Sequence, residues 1–547
     1  MKKSKIATSF LSIAWLLAGV NAQATCTSTI TNTSTSSTTT LGSNSDGACA
    51  ENSGSITTSD SSAFGLFSFG DNSTNTNSGS ITTSGSTALG LYSVGDNSTN
   101  TNSGSITTSG SSALGLFSFG DNSTNTNSGS ITTSGALAYG IRSDGANSNI
   151  NNSGTIRATN ANSAAIYLES TATNNTVNLN RGSIIVGDIK NNGATGAKLN
   201  INLGSGTSYA YSVTGAWTVA DLDNRPMVIG SAYAAGIGAQ ETASQMLYQR
   251  TSALTSSLDN RLYAALDKSN TQPYWLDVYY SDVSRDAGAN YSTRTKFSNN
   301  NYGVTVGVKL PAEITPLELI INAEHSKLNI DNASQKVNST SVMVGVLAPK
   351  VTEIAGAQLS AKALLGYADH DGDRKVMTNS LLYDGSRQIT SNYSSVYGVV
   401  GAALIKPYAI TDQLTSEVLV GVDLTAERVG SYRESDYFSW NQRTLTQFQS
   451  RIQAGLNYRF SDNKSNLFAR LGLERRDLVS GATQDYTINN TSVSFNTSNQ
   501  NDAYVTAQIG ARIQLEKHIQ LFSVLSGLRS SDTVRNVQVN IGLRVGF

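Results

Sequence analysis

Charged residues are scarce in this chain: 14% of its 547 residues are Asp, Glu, Lys or Arg, against about 25% in ordinary soluble proteins. The net charge is −1 and no basic run occurs, so nothing marks an electrostatic footprint for nucleic acid, which is not expected as a partner. Only three histidines are present, His325, His370 and His518. The first half therefore has no imidazole to relay a nucleophile's proton, as a Ser-His-Asp hydrolase requires. No cluster of His, Cys and carboxylates has metal-ligand spacing, and neither a metal nor a cofactor is expected. Proline is missing before Pro226, which suits stacked parallel strands whose every amide must pair. No apolar run reaches the roughly 20 residues of a membrane-spanning helix.

What is present begins with Lys2, Lys3 and Lys5, an apolar stretch from Ile6 to Val20, and Ala22-Gln23-Ala24, the pattern of a signal peptide over residues 1–24. Export follows. The two cysteines, Cys26 and Cys49, then lie in an oxidising compartment that permits a disulfide, within an N-terminal cap spanning 25–51.

Residues 52–239 open with a repeat of period 25. Asn-Ser-Gly recurs at Asn52, Asn77, Asn102, Asn127 and Asn152, and Gly-Asp-Asn-Ser-Thr-Asn at Gly70, Gly95 and Gly120. Each unit has too few apolar residues for a core of its own, so stacked coils sharing one core are expected: a parallel β-helix with a C-terminal capping region. The alternative is a disordered Ser/Thr/Asn-rich stalk, and residues 27–40, nearly free of apolar side chains, fit order and disorder equally. Gly-Asp-Asn and Asn-Ser-Gly supply the corners. The former superficially resembles an esterase block, but its recurrence makes it structural. In the diverged coil Arg142 and Asp144 should face water, which puts Tyr139, Ile141 and Ser143 inside. At 25-residue steps Phe67, Tyr92 and Phe117 align with Arg142, and Phe69, Val94 and Phe119 with Asp144. The preferred reading is an exposed aromatic ladder formed by these six residues, a candidate binding site. The opposite orientation, with Leu66, Leu91 and Leu116 outward, remains open. Residues 218–239 read as a linker.

Residues 240–268 carry Leu247, Leu254, Leu258, Leu262 and Leu266 on a narrow stripe, a helix suited to a water-lined lumen. From 274 to 547 twelve strand candidates follow, joined alternately by long connections (285–299, 370–388, 478–501) and short ones. In the last, Val537, Val539, Ile541, Leu543, Val545 and Phe547 alternate with Asn536, Gln538, Asn540, Gly542, Arg544 and Gly546. One face suits lipid and the other a polar lumen. An all-β chain is expected: a parallel β-helix, then a 12-stranded antiparallel transmembrane barrel with one lumenal helix.

Signal peptide, Asn-Ser-Gly-x-Ile solenoid, lumenal helix, the opening strand Tyr274-Trp275-Leu276-Asp277-Val278-Tyr279 and the terminal Phe547 together resemble a monomeric autotransporter of type V secretion. The resemblance covers nearly the whole chain. It implies an outer-membrane barrel that delivers its own passenger to the cell surface, with outer-membrane lipid, periplasmic chaperones and the barrel assembly machinery as partners. It also implies that Ile541, Leu543, Val545 and Phe547 form the assembly signal, although many members carry an aromatic where Val545 stands. Members that cut themselves do so between two adjacent Asn in the helix. Here Asp259-Asn260-Arg261 stands instead, and self-cleavage is not expected. The expected function is non-enzymatic display of a β-helical passenger for adhesion to a host surface or self-association with identical passengers on neighbouring cells. The alternatives are a released or enzymatic passenger and a porin-like channel.

Overall fold

A computed structural model describes residues 26–34, 41–204, 206–228, 230–266, 272–286, 295–311, 316–330, 334–462, 464–497, 501–516, 518–530 and 533–546. The signal-peptide expectation and Phe547 lie outside the described residues. The chain divides into two units, one built from residues 1–177 with 190–197 and the other from 178–189 with 198–547.

The first unit is a parallel β-solenoid. Each 25-residue repeat folds into three short strands, as in Leu89–Ser93, Thr99–Asn102 and Ser105–Thr108. Each strand pairs in parallel with its equivalent one repeat away, Ile81 with Ile106 with Ile131 and Leu91 with Leu116 with Ile141. Identical residues therefore stack on identical residues. Ile56, Ile81, Ile106, Ile131 and Ile156 form one fully buried column, and Leu66, Leu91, Leu116 and Ile141 another. The corners are fixed by side chains. Asn52, Asn77, Asn102 and Asn127 each donate from Nδ2 to Oδ1 of the next Asn at 2.7–2.8 Å, ending on Asn152. A second ladder, Asn75 to Asn100 to Asn125, runs inside at 2.9 Å. At the N-terminal end Ser28–Asn32 pairs in parallel with Ala48–Asn52, giving the 27–40 stretch a strand despite its polarity, and Cys26 is bonded to Cys49.

In the second unit twelve antiparallel strands run from Tyr274–Arg285 to Val534–Val545. The last pairs with the first, Tyr274 with Val545 through Arg285 with Val534, so the barrel closes. Closure leaves no edge, the condition for crossing lipid with strands. Outward positions along the middle of the strands are mostly apolar, including Val278, Val342, Leu365, Val422, Leu471, Val505 and Ile541. Among the described residues no helix is long and apolar enough to cross a membrane.

One helix, Gly238–Ala265, lies inside the barrel. Its leucine stripe is buried, with Leu247, Leu254, Leu258 and Leu262 packed against Ile320, Leu364, Val399 and Leu419 of the wall. The remaining face is polar, and its Ser252, Thr255, Ser256 and Asp259 line a small cavity against the wall. The helix charges are gripped by the wall: Arg250 by Glu427 at 2.9 Å, Arg261 by Glu318 at 2.6 Å, and Asp259 by Arg451 at 2.8 Å. Lys362 adds a bond to Thr255 Oγ1 and a bridge to Asp423. A charge removed from water needs a partner, and here each helix charge has one.

Two expectations are corrected. Residues 370–388 are not one long loop, because Ala357–Thr378 and Ser386–Ala409 continue as strands of 22 and 24 residues. Their outer parts leave the lipid band, so the apolar alternation stops while the pairing continues. Residues 218–239 are not a linker. Thr218–Asp221 pairs with Lys198–Asn202, and the buried Arg225 holds Asp221 at 2.7 Å and Asp223 at 2.9 Å. Ser208–Ala210 then runs parallel to Val376–Thr378 of the long hairpin. There Arg374 joins Glu434 at 2.6 Å, Ser208 Oγ and Gly236 O at 3.0 Å. A small sheet of Tyr432–Arg433, Phe438–Trp440, Thr483–Ile488 and Thr491–Asn496 packs its aromatic residues onto the same cluster.

Candidate contact surface on the solenoid

The strand containing residue 67 and its equivalents displays the candidate side chains. Gly42, Phe67, Tyr92, Phe117, Arg142 and Tyr167 are in register as one row. Leu66, Leu91 and Leu116 are wholly buried, whereas Phe67, Tyr92 and Phe117 are half-buried on the outer face. Two positions on, Phe69 and Phe119 are exposed, at 38% and 55%, with Val94 half-buried between them. The six residues therefore share one outward face.

Their rings cover one another. Tyr92 stacks on Phe117 at 5.1 Å and 10°, Phe67 meets Phe69 at 5.0 Å, and Phe119 approaches Phe117 edge-on at 6.4 Å. Phe64 adds a further ring 5.3 Å from Tyr92. Burial among these rings, with Asp144 nearby, raises the Tyr92 phenol above its ordinary range.

A charged cluster ends the aromatic row. Arg142 lies over Phe117 on one side and Tyr167 on the other, 5.3 and 5.6 Å from their centroids. It forks onto Asp144 at 2.7 and 2.8 Å and reaches Glu169 at 3.2 Å. The hydrogen bond to Asp144 holds Arg142 above its usual range. Burial, then the Glu169 charge, pushes Tyr167 up to about 12. Tyr139, expected inside, is half-exposed and stacks on Tyr167 at 4.2 Å. Gly140 replaces it in the tight interior, where even a Cβ would meet Ile156; the local strand departs from strict alternation there. That irregularity is what the period-two reading missed.

The other singled-out residues lie elsewhere. Ile541 and Leu543 face outward from the last strand, opposite Val278 and Leu276, and Val545 is partly buried. His370 is buried between Ser339 and Ser395 in the barrel wall, at 2.7 and 2.9 Å. No group of three or more His, Cys, Asp or Glu side chains among the described residues could hold a metal ion.

The barrel decides the family, since residues 274–523 match the model of the autotransporter β-domain. The barrel is an autotransporter β-domain. It is an outer-membrane translocator of type V secretion, and the β-solenoid is its surface-exposed passenger. Solved structures similar to this autotransporter include the translocator domain of NalP from Neisseria meningitidis, with 18% identity and a TM-score of 0.41 over 55% of this chain and 98% of that one. The β-domain of the Bordetella autotransporter Brka has 12% identity and a TM-score of 0.36, covering 50% and 99%. The transport unit of AIDA-I from Escherichia coli has 10% identity and a TM-score of 0.34, covering 51% and 92%. No curated protein matches the chain.

Proposed function

We propose that the passenger is a non-enzymatic adhesive module whose contact surface is the pair of rows Phe67/Tyr92/Phe117 and Phe69/Val94/Phe119, and that it serves chiefly self-association between passengers on neighbouring cells. The observation that carries this reading is the run of outward apolar side chains over three successive coils of an otherwise polar solenoid. Such a patch on a soluble surface marks an interaction site. Because Tyr92 and Phe117 stack face to face, the row offers mainly ring edges, whereas a sugar ring stacks on a free face. Edges spaced at the strand repeat of about 4.8 Å match a second, identical row. This favours an identical passenger over a glycan.

Six side chains are far fewer than the roughly 20–30 residues per side of a standard stable interface. A single pair is therefore weak, and many copies on apposed cells supply the strength. The test displays the full chain on a non-adherent, non-aggregating bacterium, confirms display with antibody to the solenoid, and scores settling and epithelial attachment against a barrel-only control. Settling that is lost in the triple variant Phe67→Ser, Tyr92→Ser, Phe117→Ser supports the assignment. Unchanged settling with normal display refutes it, and attachment without settling replaces self-association with host adhesion.

A further inference from the structure

A second surface lies on the lipid-facing side of the barrel. Val420, Val422, Ile452, Leu473, Val505, Ala507, Gly527 and Val537 line an open groove of about 1080 Å³ on the strands nearest the end of the chain. Its floor is a row of small residues, Ala507 paired with Gly527, between Leu471 and Val537, which are 67% and 52% exposed.

Gly527 is not explained by the fold. Its φ is not positive, so no turn requires glycine. Other barrel glycines make room for neighbours: Gly307 for Trp275, Gly303 for Tyr279, Gly366 for Tyr397, Gly510 for Phe468 and Gly542 for Phe522. At Gly527 a Cβ would meet nothing within 4 Å. Glycine inside a strand weakens it, and one without a backbone or packing reason marks the close approach of something else.

Arginines crown the groove. Arg529 and Arg535 are direct cross-strand partners, two positions beyond Gly527 and Val537 toward the long loops. Arg475 lies two strands away, opposite Ala503. Like charges placed side by side repel. Asp477 holds Arg475 at 2.8 Å, and Ser284 Oγ with Asp286, at 2.9 and 3.6 Å, holds Arg535. No partner of Arg529 is found among the described residues. The one carboxylate among the lining residues, Glu474, alternates onto the lumenal side between the outward Leu473 and Arg475. The outward carboxylates Asp369, Asp371 and Asp373 lie on a different part of the wall. Tyr280, at the interface level of the first strand, stands opposite Val539. Arg535 is four residues further toward the loops, about 13 Å along the strand, where headgroups of the outer leaflet lie.

We propose that this groove binds one molecule of the phosphorylated, multiply acylated glycolipid of the outer leaflet. An acyl chain lies over Ala507 and Gly527, and a phosphate is held between the Arg529 and Arg535 guanidiniums, whose planar forks suit phosphate oxygens. The full chain, extracted in mild detergent and stripped of lipid, is titrated with a diphosphorylated hexa-acyl disaccharide and with its dephosphorylated form, and bound copies are counted by native mass spectrometry. One copy should bind, with the phosphorylated form preferred by roughly tenfold or more. Arg529→Ala with Arg535→Ala should erase the preference. Gly527→Leu, which fills open space without a clash, should weaken both forms. Lys327→Ala, on the third strand, should change neither. Heat-shifted gel mobility identifies folded variants. Equal binding of the two lipids by the wild-type chain overturns the proposal without recourse to any variant, as does wild-type affinity in folded Gly527→Leu.

Discussion

Replacing Asn102 by Ala tests whether the asparagine ladder holds the solenoid together. Asn102 accepts from Asn77 Nδ2 at 2.8 Å, donates to Asn127 Oδ1 at 2.8 Å and to Ser130 O at 3.2 Å, and is wholly buried. The substitution deletes two ladder bonds, each worth about 1 kcal/mol net, and strands Asn127 Oδ1 without its donor at a further 1–2 kcal/mol, giving about 3–4 kcal/mol. With a urea dependence of about 2 kcal/mol per molar, the midpoint should fall by roughly 1.5–2 M. The assay is pulse proteolysis of the displayed full chain in increasing urea, following an N-terminal epitope. Thr107→Ala, on the exposed face of the same coil, should stay within about 0.5 kcal/mol. A shift below about 0.3 M for Asn102→Ala would refute the claim that the ladder, rather than the isoleucine and leucine columns, carries this share of stability.

Three further outcomes follow from the same contacts. Reducing Cys26–Cys49, which closes a separation of 23 residues, should loosen the first coil by about 3 kcal/mol, seen as early protease cuts near residues 26–52 while later coils stay resistant. Arg451→Ala leaves Asp259 and Asp423, which it holds at 2.8 and 2.6 Å, buried with one partner fewer. The cost should be about 3–5 kcal/mol, read as lost heat-modifiable mobility, whereas Arg475→Ala at the exposed rim should keep it. The Ser170 backbone N–H, with Asn192 and Arg142, holds the Glu169 carboxyl below its ordinary 4.5. Its contribution is therefore complete above the unfolded value and lost as pH falls through the folded one. Protease sensitivity around residues 142–169 should rise below about pH 4.5, and Glu169→Gln should remove that dependence.

The barrel was legible because lipid outside and polar contacts inside impose a period of two, as along Val537 to Val545. The solenoid was legible because coils that share a core must repeat. The outward position of Phe67, Tyr92 and Phe117 followed from one diverged coil, since Arg142 and Asp144 mark the wet face. Tyr139 misled because Gly140 and Ile141 both turn inward, so alternation fails locally. The sheet of Phe438–Trp440 and Thr483–Ile488 was hidden in loop-like stretches: three to six residues with mixed polarity carry no readable period. Arg225 likewise looks like a linker charge until Asp221 and Asp223 close around it. The groove at Gly527 could not be read at all, because a sequence does not show which glycines lack neighbours.

In-register stacking also explains why charge is so scarce in the passenger. Between residues 52 and 141 the only charged side chains are Asp60, Asp71, Asp96 and Asp121. Every residue in a row has itself as its neighbour about 4.8 Å away, which suits Asn, Thr, Ile and Phe and penalises Lys or Glu. The aspartate row is tolerated because each carboxylate is answered: Asp46 Oδ1 accepts from Asp71 N, Asp71 from Asp96 N, Asp96 from Asp121 N and Asp121 from Ala146 N, at 2.7–2.9 Å. Thr82, Thr107 and Thr132 form an outer row that continues into Arg157, the one charge it carries. One Thr107→Lys should therefore cost little, whereas lysine at all three should cost about 1–2 kcal/mol beyond the summed singles at low salt, from two pairs near 1 kcal/mol each. Added salt to about 0.5 M should recover most of it, because the screening length then falls to the spacing of the row. If the excess persists at high salt, or is absent at low salt, repulsion between stacked copies is not what keeps the regular coils so poor in charge.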